Sequence, residues 1–269
     1  MNQQDQAAAN SDDEKPRNEK FRFGSATHVG MKRSQNQDSL GTKVDLGLFL
    51  VADGMGGHRG GEIASADAVE TISKHVRGSL KISGSREPRK ALMDAIIAAN
   101  DAIYKHSAED SSLHGMGTTT TAILFHGDRL YIGHVGDSRC YFLKKTTEGP
   151  LIWQATRDHS LVQEKLRAGL ITRAEVQTDS MKNVITRSVG FEPVVHPEIY
   201  ELHTQPGDVF LVCSDGLSGM MEDTKILSII QREVFEGQSP QKAADRLIAT
   251  ANANGGTDNV TVVVVEVIS

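Results

Sequence analysis

Three times in this 269-residue chain a strand-length apolar run ends in Asp followed by Gly or another small polar residue. The cases are FLVADG closing on Asp53-Gly54, IGHVGDS at Asp137, and FLVCSDG at Asp215-Gly216. A fourth is reversed, with GGTDN placing Asp258 immediately before VTVVVVEV. The β-branched and aliphatic content of these runs predicts strands, and a strand end is a rigid mount on which a carboxylate can be preorganised. Taken singly, each Asp-Gly is an ordinary turn, because both residues are favoured there for backbone reasons. Taken together, four acids on four strand ends can converge, and converging carboxylates repel one another and take up protons unless a cation neutralises them. No His/Cys set has zinc spacing and no HExxH occurs. That leaves an all-oxygen site of carboxylates, a backbone carbonyl and water, suited to Mg²⁺ or Mn²⁺.

Other candidates lie close to these acids in the chain. Within Lys32–Asp38, Arg33 offers a planar fork that fits phosphate oxygens and Asp38 a carboxylate able to orient water at a metal; a solvated loop is the alternative for this segment alone. The stretch GMGGHRGG from Gly54 to Gly61 is rich in glycine, yet it has neither a GK[ST] ending nor GxGxxG spacing, which excludes nucleotide binding by that route. His58 within it could protonate a leaving alkoxide, or could simply be an exposed loop residue. His134, alternating with apolar neighbours, reads as structural. With no GxSxG elbow, and with Cys213 inside an apolar run, covalent catalysis is disfavoured.

Strands are predicted over Leu46–Ala52, Thr119–Phe125, Leu130–Val135, Cys140–Leu143, Val209–Cys213 and Val260–Val267. Helical spacing appears in Glu62–Val76 and Pro88–His106, and again from the Ser239-Pro240 start to the Gly255–Gly256 stop. Helices fall singly or in pairs between groups of strands, and the Phe125–Leu130 connection reads as a hairpin. The expected class is therefore α+β with antiparallel sheets. Residues 1–20 are polar and without period, a flexible lead; residues 21–269 read as one domain, with a flap-like insertion at about 158–197. Lys and Arg total 29 against 35 Asp and Glu, a net charge of −6 without a basic cluster, so nucleic acid is not the expected partner. Two distant cysteines, no apolar leader and no membrane-length apolar run point to a cytoplasmic, non-membrane protein.

The ordered set RSQNQD at Arg33–Asp38, VADGMGGH at Val51–His58, GMGTT at Gly115–Thr119, GDSR at Gly136–Arg139, SDGL at Ser214–Leu217 and DNVT at Asp258–Thr261 closely resembles the bacterial PP2C-type (PPM) metal-dependent serine/threonine protein phosphatases. The resemblance spans about Phe23 to Val267. It implies an αββα sandwich of two antiparallel β-sheets flanked by helices. It also implies two core ions, Mn²⁺ or Mg²⁺: Asp53 bridging both, Gly54 offering its carbonyl to one, Asp215 and Asp258 completing the other. Asp137 with Asp215 would form the weaker third site of bacterial members. Arg33 would hold substrate phosphate, and Asp38 would bind or orient water at the metals. Water activated between the ions would attack phosphorus in line, without a phosphoenzyme, and His58 or a water would protonate the departing oxygen.

Two departures from the family pattern stand out. Met55 occupies the position where eukaryotic members carry the His of DGH, and Gln37 stands where many members have Glu. The resemblance implies phosphoserine and phosphothreonine proteins as substrates, a cognate bacterial Ser/Thr kinase as counterpart, and a monomer. The alternative from another class is a non-catalytic module that uses the same fold to sense metal or dock a phosphoprotein. A metal nuclease, the third reading, is disfavoured by the acidic balance. Degenerate modules would be expected to lose core acids, and Asp53, Asp215 and Asp258 are all present.

Overall fold

The computed structural model describes residues 20–56, 59–82, 87–176 and 178–269. The expected flexible lead, apart from Lys20, and His58 lie outside the described residues. The first half of the chain forms β1 (Phe21–His28), β2 (Asp38–Lys43), β3 (Leu48–Met55), the helices α1 (Gly60–Ile82) and α2 (Pro88–Glu109), then β4 (Gly117–Thr118), β5 (Thr120–His126) and β6 (Arg129–Val135). The second half forms β7 (Arg139–Thr146), β8 (Gly149–Gln154), α3 (Leu161–Arg167), α4 (Arg173–Val176), β9 (Glu198–His203), β10 (Val209–Cys213), α5 (Asp215–Ser218), α6 (Asp223–Ile230), α7 (Pro240–Ala253) and β11 (Val260–Val267).

One sheet has the order β1-β11-β10-β7-β8 and the other β2-β3-β5-β6-β9, with β4 paired to β3; every pairing is antiparallel. Alternate residues of the inner strands serve two cores. On β10, Val209, Leu211 and Cys213 face the helices α6 and α7, while Phe210 and Val212 face the opposite sheet. On β3, Leu48, Leu50 and Ala52 pack against α1 and α2, and Phe49 and Val51 against the other sheet. Burial on both faces is why these strands read as unbroken apolar runs instead of alternating ones. The layers are helices, sheet, sheet, helices: the expected αββα sandwich.

Predicted and observed elements differ mainly in extent. The run predicted from Leu46 begins as a strand only at Leu48, because Val44–Leu46 make a 3₁₀ turn closed by Gly47 at φ 67°. Helix α1 extends past the predicted Glu62–Val76 at both ends. The 158–197 segment holds α3 and α4 and otherwise irregular chain. Ser239 caps α7 as expected, its Oγ accepting from Lys242 N at 3.4 Å.

Between the sheets Phe210 lies stacked on Phe142, with ring centroids 4.9 Å apart, and edge-on to Phe125 at 5.7 Å. Truncation there removes a fully buried ring whose neighbours belong to both sheets. Phe210→Ala is expected to cost about 3–5 kcal/mol, read as a lowered urea midpoint; a loss below about 1 kcal/mol would show that the inter-sheet core collapses around the gap.

Candidate metal centre

The strand termini bring the predicted acids to one end of the sandwich. Asp53, near the end of β3, is paired in register with Asp38 at the start of β2. Asp137 sits in the turn from β6 to β7, Asp215 opens α5 directly after β10 and Ser214, and Asp258 precedes β11 by two residues. Because Cys213 pairs with Arg139 and β10 pairs with β11, the Asp137, Asp215 and Asp258 turns are adjacent. Asp53, Asp137, Asp215 and Asp258 line one cleft of about 580 Å³, which Arg33 and Gly54 also line. Asp38 is buried behind it, its Oδ2 accepting from Ser214 Oγ at 2.7 Å. Among the described residues no three His, Cys, Asp or Glu side chains close around a single ion-sized point. The acids therefore form a lined cleft, in which bound ions would be completed by water and backbone oxygen.

The electrostatics are those of a site built for cations. Burial, and then the charges of Asp38, Asp215, Asp137 and Asp258, hold the Asp53 carboxyl well above the usual range. Burial pushes Asp137 up to about 8, aided by Asp215 and Asp158. Burial likewise raises Asp38 to about 6, although its hydrogen bonds from Ser214 and Thr261 pull the other way. Asp215 is raised by burial and by Asp258. Asp38 Oδ1 and Asp215 Oδ1 are buried without a hydrogen-bond partner among the described residues. Such oxygens are costly to leave unpaired, and hard divalent cations are the partners their chemistry fits.

Backbone contacts hold these acids in place. Asp53 N donates to Thr119 Oγ1 at 3.0 Å, and Asp53 O accepts from Thr119 N at 2.8 Å and Thr118 Oγ1 at 2.9 Å. Thr119 Oγ1 lies 2.7 Å from Ser138 Oγ, tying the Asp53 strand to the Asp137 turn. Gly54 must be glycine, because a Cβ there would collide with Gly61 O and Gln37 O. Arg33 Nη2 donates to Asp258 Oδ2 at 2.7 Å, which places the predicted phosphate ligand among the acids. From the insertion, Asn183 and Ile185 reach the cleft, and the segment is bridged to β4 through Thr118 and Val189. The supports Thr118, Thr119, Ser138 and Ser214 sit inside or beside the motifs quoted for the acids, yet nothing in the spacing assigns them a partner. Arg139, in the same position, forms a fork on Asp158, with Nε 3.1 Å from both carboxylate oxygens and Nη2 2.7 Å from Oδ2.

His134 is buried, donates Nε2–H to Arg157 O at 3.0 Å, and is pushed down to about 4 by burial, a neutral structural imidazole. Cys140 and Cys213 are buried free thiols, both raised by burial, and neither is a nucleophile. No helix of the described residues is long and apolar enough to cross a membrane.

A family model described as protein phosphatase 2C matches residues 12–260. The serine/threonine phosphatase Stp of Listeria welshimeri is 35% identical over 243 residues, covering 89% of this chain and 93% of that protein. A crystal structure of the Mycobacterium tuberculosis serine/threonine phosphatase PstP/Ppp shares 34% identity at a TM-score of 0.83, covering 93% of this chain and 100% of the other. A second, of the PstP catalytic domain in complex with 2 manganese ions, shares 34% identity at a TM-score of 0.81, covering 93% and 99%. The match runs from ahead of the Arg33 segment into β11, across every acid of the cleft, and the chain belongs to the protein phosphatase 2C family.

Proposed function

We propose that this chain, a metal-dependent protein serine/threonine phosphatase, holds two divalent cations, Mn²⁺ or Mg²⁺, with Asp53, Gly54, Asp215 and Asp258, and a weaker third with Asp137 and Asp215. The observation that carries the assignment is the cleft itself, where buried, mutually repelling carboxylates keep protons that a cation would displace and buried oxygens have no hydrogen-bond partner among the described residues. When bound, such ions acidify water and offset charge on phosphoryl oxygens. The chain's own groups do the rest. Arg33, exposed at the cleft mouth and free to exchange Asp258 for another anion, binds the substrate phosphate. Asp38, anchored by Ser214, has a buried Oδ1, unpaired among the described residues, that would accept a hydrogen bond from a water bound at the metals and orient it. His58 is assigned to protonate the departing serine or threonine oxygen; Gly56, two residues before it, lines the cleft.

The substrates are phosphoserine and phosphothreonine proteins, and the enzyme acts as a monomer opposing a bacterial Ser/Thr kinase. The names of the relatives support the reaction, and the intact acid set favours catalysis over a docking module. The test is phosphate release from a phosphothreonine peptide with Mn²⁺, then with excess chelator, using Asp258→Asn as control. Turnover lost to both chelator and substitution is expected. Folded, Mn²⁺-bound protein inert on several phosphopeptides would overturn the reading in favour of a binding module.

A further inference from the structure

Arg33 sits in an irregular segment, residues 29–37, between β1 and β2, and its side chain is 53% exposed. A long flexible side chain on a free loop would spend most of its time away from any fixed phosphate position, so something must hold the segment. Asn259 does so with every polar atom of its side chain. Its Nδ2 donates to Val29 O at 2.9 Å and to Gln35 O at 2.8 Å, and its Oδ1 accepts from Gln37 N at 2.8 Å. These partners lie at both ends of the segment, so one amide closes it like a clasp. Asn259 is 4% exposed, and its two N–H donors and its carbonyl oxygen are all engaged. Two backbone contacts reinforce it. Met31 N donates to Gly256 O at 2.7 Å, and Gly30, at φ 81°, lies so close to Asp258 O that a Cβ would collide with it.

The residue before the clasp is Asp258, which Arg33 itself contacts at 2.7 Å. One strand end therefore carries both a proposed metal ligand and the side chain that sets where the phosphate-binding arginine stands. From this geometry we infer that Asn259 is a positioning residue for substrate phosphate, acting through Arg33. The inference rests on the function proposed above.

A double-mutant cycle separates this role from simple structural support. Asn259→Ala, Arg33→Ala and the double variant are compared with wild type for phosphothreonine-peptide turnover at saturating Mn²⁺, and for inorganic phosphate and Mn²⁺ affinity by calorimetry. Asn259→Ala is expected to raise KM and weaken phosphate binding about tenfold, with kcat and Mn²⁺ affinity within about threefold. The double variant should be no worse than Arg33→Ala alone, because a misplaced arginine and an absent one are equivalent. If Asn259→Ala does not fold, Asn259→Ser carries the same test with a smaller loss. Multiplicative losses in the double variant, or unchanged KM and phosphate affinity in a folded single variant, would overturn the inference while wild-type turnover leaves the phosphatase reading intact. Absence of Mn²⁺-dependent turnover and of phosphate binding in the wild type would overturn both.

Discussion

Asp53→Asn is expected to lower phosphate release by at least about 10³-fold and, at the same time, to raise the melting temperature of the metal-free protein. The two effects share one cause. In the absence of a cation the Asp53 carboxyl is held well above its ordinary range by burial and by four neighbouring acids, a cost charged to the folded state. A neutral amide of nearly the same shape removes that cost. The backbone at position 53 is bound through Thr118 and Thr119, contacts that do not involve the carboxylate, so the strand should stay in place. The variant gives up the charge on which both proposed cations depend. Wild-type protein with Mn²⁺ at a hundredfold excess over Kd should gain about 2.7 kcal/mol, whereas the variant should gain little. Thermal melts with Mn²⁺ and with chelator, beside phosphate-release assays on the same samples, read all three quantities. Normal turnover, or a Mn²⁺-induced stabilisation as large as that of wild type, would remove Asp53 from the centre of the site.

The acids of this cleft are legible in sequence because each sits at the end of an inner strand, and inner strands here are the easy ones. Hydrophobic patterning identifies β3, β5, β6, β7, β10 and β11, all flanked by strands on both sides and buried on both faces. It does not identify β1, β2, β8 or β9, which are the four sheet edges. An edge strand is half-exposed and carries polar residues, as in DSLGTK of β2, so its apolar signal falls below that of a loop with a few aliphatics. This has a functional consequence, because Asp38 begins an edge strand, and only the pairing with Asp53 places it behind the cleft. The layering of the sandwich is likewise absent from the periodicity and comes from the family resemblance. The supports are hidden for a different reason. Asn259 reaches Gln35 across 224 residues of chain, Ser214 reaches Asp38 across 176, and Thr119 meets Ser138 across 19. A local pattern can show that a residue is polar beside an acid, but only the closed sandwich shows what it grips.

Burial of the acids, reinforced by their mutual repulsion, predicts how the metal-free protein responds to pH. Asp137 is pushed up to about 8, Asp38 to about 6, and Asp53 is raised well above the ordinary value, whereas an unfolded aspartate titrates near 3.9. Between those values the folded state holds protons that the unfolded chain has released, so stability falls as pH rises. The stabilisation is complete below about pH 4 and drains away towards about pH 8. His134 acts in the opposite sense, since burial holds it near 4, below the ordinary 6.5 of an imidazole, and folding then favours its neutral form as pH rises through that interval. His159, also lowered by burial, works in the same direction. From about pH 6.5 to about pH 8 Asp137 dominates: it gives up its proton in the folded state, while the unfolded imidazoles, half protonated at the lower bound, lose the rest of their charge and return part of the loss. Across this window the chelated protein should lose about 1 kcal/mol net, or about 3 °C in melting temperature. Asp137→Asn should flatten most of that slope. Added Mn²⁺ should reverse it, because the ion displaces these protons and binds more tightly as they leave. Stability in chelator that stays level or climbs between about pH 6.5 and 8 would show that Asp137 is already ionised without a cation, and that the cleft is satisfied by some other means.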